Sequence, residues 1–318
     1  MSRSYERINY SLRPAKSVER KMMVEAFRRF SEFRLVETYR YIGFGSTFFA
    51  DFQIIHKSLN IQAMKSIERD VENKARFEFN KPFRCIEMEF GESNTILPTL
   101  PWPDIPTIAW LDYDGPLTRA VLADIKTFCS SASPPSALIV SVNAQPGLPN
   151  PDNESARLEK LIKALGENKV PASISAKDLR EWGTARVYRK IINNEIEETI
   201  ADRNGTRPPG SELLYKQLFN FHYSDSAKML TVGGLLYDRG LDARVQSCAF
   251  DQLKFIKNGE EPFTIDPPNL TFRELRHLDA LLPADPATPP VLPGVPPSDV
   301  EKYSEMYRYF PTFAEMEV

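Results

Sequence analysis

Two places in the sequence combine residue types that small-molecule chemistry uses. The first is Ile42-Gly43-Phe44-Gly45-Ser46, where an apolar run passes into a glycine pair, with Ser46 or Thr47 able to cap a following helix that carries Phe49 and Phe52. Glycines there let the backbone turn sharply and let a ligand lie against it near the positive end of a helix. Taken alone, a strand-to-helix glycine pair serves packing as readily as binding. The second place is Trp110-Leu111-Asp112-Tyr113-Asp114-Gly115-Pro116, two carboxylates flanking an aromatic where another apolar run ends. Alternation puts Asp112 and Asp114 on one side of an extended segment. Core packing explains that pattern poorly, and loop solvation or a turn cap is the alternative. Between them, Glu68 closes the run Ser66-Ile67-Glu68, 25 residues after Gly43. A carboxylate so placed can accept both hydroxyl protons of a ribose, for which the expected separation is about 20 residues. Its plainer role is an acid at a helix N-terminus. Met88-Glu89-Phe90-Gly91 offers an aromatic and an acid beside an adenine ring, although Glu87 and Glu89 also suit solvent-facing strand positions. Gly43, Gly45 and Glu68 together argue for an adenosine-containing ligand.

These residues need elements that bring them to one edge. From Arg34 onward, short apolar runs alternate with helix-like stretches, the pattern of a parallel sheet with crossover helices. The predicted strands are 36–42, 61–67, 83–88, 107–111 and 137–142, and the helices between them 47–59, 71–80, 118–128 and 155–165. In such a sheet the ligand lies at the carboxyl ends of the strands, so Asp112, Asp114 and Asn143 should line it. Residues 171–224 break the rhythm with a charged helical stretch at 176–200, a turn-rich 203–210 and a short helix from Glu212, read as an insertion that covers the site. The segments 229–237 and 245–256, joined by Asp238-Arg239-Gly240, read as an antiparallel strand pair. Ten of the 26 prolines fall between Pro262 and Pro297, which predicts an extended tail on the surface. The aromatics Tyr303, Tyr307, Tyr309 and Phe310 in 300–313 are expected to dock. The organisation is therefore a helical extension at 1–34, an α/β domain at 35–257 with its helical insertion at about 171–224, and a proline-rich tail at 258–318.

Composition removes several alternatives. Hydrophobic residues make up 42% and charged residues 26%, values of a globular chain, and no apolar run approaches the about 20 residues that span a bilayer. Met1 to Tyr10 is polar, without the apolar centre of a signal peptide, so a cytoplasmic location is expected. Cys85, Cys129 and Cys248 are odd in number and far apart, which opposes a disulfide framework. His56, His222 and His277 form no metal-ligand spacing. The net charge of −3 hides an excess of five positive charges in residues 1–40. Arg20, Lys21, Arg28 and Arg29 stand among Val18, Met22, Ala26, Phe30 and Phe33 at helical spacing after Ser17, read as the solvated face of an amphipathic helix, with a nucleic-acid contact as the alternative.

The residues quoted resemble the class I S-adenosylmethionine-dependent methyltransferases over about residues 35–257. The resemblance implies a Rossmann-like α/β fold, mostly parallel with an antiparallel strand pair at its end and helices on both faces. It implies S-adenosylmethionine as cofactor, held by Gly43, Phe44, Gly45, Ser46, Glu68, Glu89 and Phe90, with Asp112, Tyr113 and Asp114 beside the transferable methyl group. NAD fits less well, because Phe48 stands where a dinucleotide fingerprint has its third glycine. Amino-methylating members carry Asp/Asn-Pro-Pro-aromatic after the fourth strand. This chain has Asp112-Tyr113-Asp114-Gly115 instead, which favours an O-methyltransferase-like enzyme with an unidentified acceptor. Metal-assisted members place an acid and an amide together after the fifth strand; here Val142 precedes Asn143, so Mg²⁺ is disfavoured. Without a metal, Asp112, Asp114 or Tyr113 could orient or deprotonate the acceptor, and Tyr223, His222 and Asp225 could touch it. The competing readings are a non-catalytic binding module that captures a protein partner through its tail, and a nucleic-acid methyltransferase.

Overall fold

The computed structural model describes residues 13–103, 105–145, 154–285 and 287–311. The reading of Met1 to Tyr10 and the docking of Phe313 lie outside the described residues.

The first described element is α1 (Pro14–Arg28), whose cap position, Arg13, lies four residues ahead of the Ser17 cap read from sequence. Proline at the first helical position has no N–H to leave unpaired and a preset φ, which makes it the better start. The alternating core follows as β1 (Arg40–Gly43), α2 (Ala50–Leu59), β2 (Ala63–Glu68), α3 (Lys74–Asn80), β3 (Ile86–Phe90), α4 (Ser93–Ile96), β4 (Thr107–Asp112), α5 (Arg119–Ser131), β5 (Ser136–Asn143) and α6 (Glu154–Leu165). All five predicted strands are present, with β1 shortened because Val36–Thr38 forms a 3₁₀ turn.

Next come α7 (Gly183–Asn204), β6 (Leu213–Ser224), β7 (Lys228–Asp238) and α8 (Asp242–Ser247). An antiparallel pair does follow the parallel strands, but it is β6 with β7, one element earlier than the pair read from sequence, and β8 lies outside it at the sheet edge. The expected helix from Glu212 is a strand, and the expected strand 245–256 is α8 followed by a 3₁₀ turn. The reason lies in the polar side chains of β6. Lys216, Gln217, Asn220 and His222 mask its β-pattern, and Gln217 and Asn220 satisfy their amides on carbonyls of the following segment: Gln217 Nε2 donates to Lys257 O at 2.7 Å and Asn220 Nδ2 to Glu260 O at 2.9 Å.

The proline-rich stretch is more regular than expected. It adds β8 (Phe263–Ile265) at the sheet edge, parallel to β6, and α9 (Phe272–Asp279) in a proline-free gap. Thr271 and Glu274 form a reciprocal capping box that starts α9, worth about 1 kcal/mol. The final helix, α10 (Pro297–Met306), sends Met306 and the following Tyr309 into the main core, while Val300 and Tyr303 pack on Leu278.

The sheet order is β3-β2-β1-β4-β5-β7-β6-β8, with β1 to β5 mutually parallel where they pair. One face is covered by α1, α2 and the C-terminal segment, the other by α5, α6 and α7. The connections reverse direction between β1 and β4, and at such a switch point the diverging loops leave a crevice beyond the strand ends. Among the described residues no helix is long and apolar enough to cross a membrane.

Candidate active site

Register places the sequence-predicted residues along one edge. Gly43 stands opposite Ser66 of β2 and Trp110 of β4, Glu68 opposite Phe90 of β3, and Asp112 opposite Ser141 of β5. Gly43, Glu68, Phe90 and Asp112 thus stand at the carboxyl ends of their strands, and Phe44, Gly45, Ser46, Tyr113 and Asp114 follow in the adjoining loops.

The loop after β1 is tightly built. Gly45 N donates to Ser66 Oγ at 3.0 Å, and Phe49 N to Gly45 O at 2.7 Å. Ser46 and Phe49 both take left-handed backbone conformations (φ 51° and 48°), which L-residues adopt only where surroundings impose them. A Cβ on Gly45 would lie 2.5 Å from the Phe49 ring and 2.7 Å from Ser66 Oγ, so only glycine fits. At Gly43 it would meet Tyr41 Oη at 3.0 Å and the Trp110 carbonyl oxygen at 3.2 Å. Beside this cradle the buried hydroxyls of Tyr41, Ser46 and Thr47 have no hydrogen-bond partner. Buried polar atoms are normally paired, so these three hydroxyls are available to a polar ligand.

Glu68 is half-buried at the end of β2, where burial raises its carboxyl; Oε1 accepts from Asp70 N at 3.0 Å. Glu89 shares Lys65 Nζ with Glu87, at 2.9 and 2.6 Å, and so lies along the strand pair in a surface ion-pair network. Phe90 lies edge-on to Phe77, with Lys74 Nζ 5.1 Å from its ring centre.

Asp112, Tyr113 and Asp114 separate. Tyr113 faces α5, where its hydroxyl donates to Asp124 Oδ2 at 2.6 Å and its ring packs against Phe44 at 5.0 Å. Burial and then Asp124 push that hydroxyl well above its usual pKa. Ser93 donates to the same Asp124 oxygen at 2.5 Å, tying the loop after β3 to the loop after β4. Asp114 is exposed in the loop after β4.

Asp112 faces α1, and sequence reasoning missed what meets it there. Lys16 Nζ, fully excluded from solvent, lies 2.9 Å from Asp112 Oδ2 and 2.7 Å from Glu19 Oε2, and donates to Tyr223 Oη at 3.2 Å. It also sits 4.4 Å from the Trp110 ring centre. One helical turn on, Arg20 pairs with Asp51 of α2. Asp225, in the β6–β7 turn, caps α1 by accepting from Ala15 N and Lys16 N at 3.0 and 3.1 Å, and pairs with Arg13 at 3.4 Å. Burial alone would raise the Asp112 carboxyl, but Lys16, then Arg13 and Arg20, hold it below its usual value. The signal was present as Lys16, Glu19, Arg20 and Met23, spaced to share the helix face that carries apolar Phe27.

Tyr223 and Asp225 therefore meet the first turn of α1 beside Lys16, whereas His222 points away and stacks on Trp182 at 4.6 Å. Burial, with Arg186 and Arg189 nearby, lowers His222 to about 4. Asn143 Oδ1 accepts from Gln145 N at 2.8 Å. Among the described residues no three His, Cys, Asp or Glu side chains are arranged to hold a metal ion. A separate groove of about 760 Å³, lined by Met22, Phe255, Phe263, Leu292 and Tyr309 among others, contains none of the crevice residues.

A family model described as "Putative O-methyltransferase" matches residues 8–318 of this chain. No curated protein matches the sequence. Among solved structures, similarity extends to the O-methyltransferase TomG from Streptomyces achromogenes, involved in tomaymycin synthesis and solved with S-adenosylmethionine (12% identity, 68% of this chain and 78% of that one, TM-score 0.36). It also extends to an O-methyltransferase from Bacillus cereus solved with S-adenosylhomocysteine (11% identity, 73% and 86%, TM-score 0.36). A third is Trm1 from Pyrococcus horikoshii with S-adenosyl-L-methionine (10% identity, 83% and 67%, TM-score 0.45).

Proposed function

The chain belongs to this O-methyltransferase family, a class I S-adenosylmethionine-dependent methyltransferase, and from that premise we propose that it transfers the methyl group to an oxygen acceptor in the crevice between β1 and β4. The observation that carries the reading is the glycine cradle with unpaired hydroxyls beside an ionised Asp112 at the switch point. These residues fit the cofactor. The Gly43–Ser46 backbone offers a close polar wall for its amino-acid part, Glu68 suits the ribose hydroxyls, and Phe90 an adenine edge. Glu89, drawn to Lys65, is the weakest of the set.

When bound, the sulfonium supplies an electrophilic methyl group; the chain's own residues orient and balance charge around it. Asp112, held ionised, complements a positive charge and is a poor base for an alcohol. Tyr113 steadies Phe44 and thereby the glycine loop. Asp114, exposed in the loop after β4, is placed to meet the acceptor hydroxyl and fix its direction, which is most of what an in-line transfer requires.

Two observations favour this reading over its competitors. Two basic residues of α1, Lys16 and Arg20, are buried in ion pairs, and Arg29 in the turn that follows donates to Cys248 O at 2.7 Å, while Arg28 is exposed. Those inward pairings reduce the positive charge that α1 offers to a nucleic acid. The tail aromatics Tyr303 and Tyr309 are packed on the chain itself, not presented for capture of a partner.

The test is calorimetric titration of wild-type protein and Glu68→Ala with S-adenosylmethionine, S-adenosylhomocysteine and NAD. The two adenosyl ligands are expected to bind wild type and NAD is not. Losing a charged acceptor for two hydroxyls should weaken binding roughly 10- to 100-fold, at about 1.5–3 kcal/mol for hydrogen bonds to a charged group. Undiminished affinity in Glu68→Ala would overturn the site assignment.

A further inference from the structure

The groove of about 760 Å³ lies where the C-terminal segment meets the body of the chain. Its volume falls within the range of about 300–1,000 Å³ that ligand sites occupy. Met22 of α1, Phe255, Phe263 of β8, Leu292 and Tyr309 give it apolar walls. Pro283, Pro289, Pro290 and Pro297 line it too. Proline has a fixed φ and no N–H, so walls built with it keep their shape without an occupant and offer acceptors more than donors. Among these residues Val291 is 78% exposed, an apolar side chain left in water beside an apolar groove. Such a combination marks an interaction site.

An occupant must also answer the charge of the rim. Glu301 and Glu305, one helical turn apart on α10, are both exposed there, and Asp285 joins them from the proline-rich segment. Among the described residues none of these three carboxylates is in an ion pair. Of the two cations in the lining, Arg308 is drawn to Glu25 at 3.2 Å, which leaves Lys254 against three acids. Carboxylates at i and i+4 ask for two cations about 5–6 Å apart, and Asp285 asks for a third. A single small ammonium compound answers one of them. A chain segment with basic side chains spaced around apolar ones answers all three and covers Val291 as well. We propose that this groove is a docking site for a basic, apolar peptide segment, its apolar side chains against Phe255, Phe263 and Leu292 and its Lys or Arg side chains on Asp285, Glu301 and Glu305. The groove shares no residue with the crevice, and a chain that bound no adenosyl ligand would keep it.

The probe is a fluorescein-labelled decapeptide alternating leucine with lysine, set against one alternating leucine with glutamate, in anisotropy titrations of the full chain. The lysine peptide should bind and the glutamate peptide should not, and the affinity should fall when NaCl is raised from 0.05 to about 0.5 M. Glu301→Gln with Glu305→Gln should weaken binding about 3- to 10-fold, the worth of two exposed ion pairs. Val291→Ser, which loses two methyl groups from the contact, should weaken it about tenfold. The three positions are exposed, so unchanged thermal melts should accompany these losses. Glu159→Gln with Glu167→Gln, exposed acids on and after α6, should leave the affinity unchanged. An equal loss in that pair would reduce the binding to attraction by a net negative surface and overturn the docking site. Equal binding of both peptides would overturn the role of the acids, and binding of neither would overturn the proposal outright. Sedimentation of the chain alone tests the other occupant, a second copy. A monomer leaves the groove to the peptide, whereas a dimer that Val291→Ser dissociates gives it to the second copy and overturns the proposal.

Discussion

Replacing Lys16 by methionine keeps the stem that packs beneath α1 and deletes only the charge. The cation removed lies within 3 Å of both Asp112 and Glu19. Breaking a buried ion pair from one side costs about 3–5 kcal/mol, because the remaining charge keeps its desolvation penalty without compensation. Long single-domain chains lose about 2 °C in Tm per kcal/mol, so Lys16→Met should melt roughly 6–10 °C below wild type at pH 7. The sign with pH is fixed by Asp112. Its folded pKa is depressed by Lys16, so the stability it contributes is present above the ordinary carboxylate pKa and is lost as pH falls through the folded value. The gap between wild type and variant should therefore narrow on acidification. Thermal melts of Lys16→Met, Asp112→Asn and the double variant complete a cycle, in which contacting charges couple by about 0.5–3 kcal/mol. A deficit under about 1 kcal/mol for Lys16→Met, or strictly additive variants, would show that the ammonium does not hold α1 to the sheet edge.

Gly45→Ala forces a methyl group against Phe49 and Ser66, so it should cost about 1–3 kcal/mol and weaken S-adenosylmethionine binding more than tenfold; unchanged calorimetric affinity would contradict the cradle. His222, lowered from 6.5 to about 4, stabilises the fold as a neutral ring above pH 6.5 and loses that contribution as pH falls toward 4, a span equivalent to about 3 kcal/mol. His222→Phe, which can still stack on Trp182, should accordingly lose less stability than wild type between pH 7 and 4.5 in denaturant titrations, and equal losses would refute the assignment.

The half of the fold that carries the cofactor loops was legible because each strand there is an apolar run stopped by a residue of different character. The strands end at Gly43, Glu68, Phe90 and Asp112, one or two residues beyond the ends read from sequence at 42, 67, 88 and 111, and the two central ones, β1 and β4, are buried almost throughout. β6 was illegible for the converse reason: its polar residues are paired with backbone some 40 positions away, and no local pattern announces such a partner. Asp238-Arg239-Gly240 has hairpin chemistry but introduces a helix, because β7 has already found its antiparallel partner on the other side. At the site, Asp112 was visible and Lys16 was not. A lysine on an amphipathic helix reads as solvated until the acid it meets, 96 positions later, is brought against it.

Glu25 of α1 is held by Tyr309 Oη at 2.5 Å across 284 positions, and Lys21 donates to Phe310 O at 2.9 Å across 289. The helix whose first turn neutralises Asp112 is thus fastened at its far turns by nearly the last described residues of the chain. During synthesis the glycine loop, Glu68 and Asp112 all emerge and can pair their strands long before Tyr309 exists. Contacts this distant in sequence form late, after the loop entropy of the whole chain has been met. A ribosome-bound chain therefore holds a sheet edge whose acidic crevice lacks its settled counter-charges until a segment translated nearly 300 residues later completes the first helix's seat.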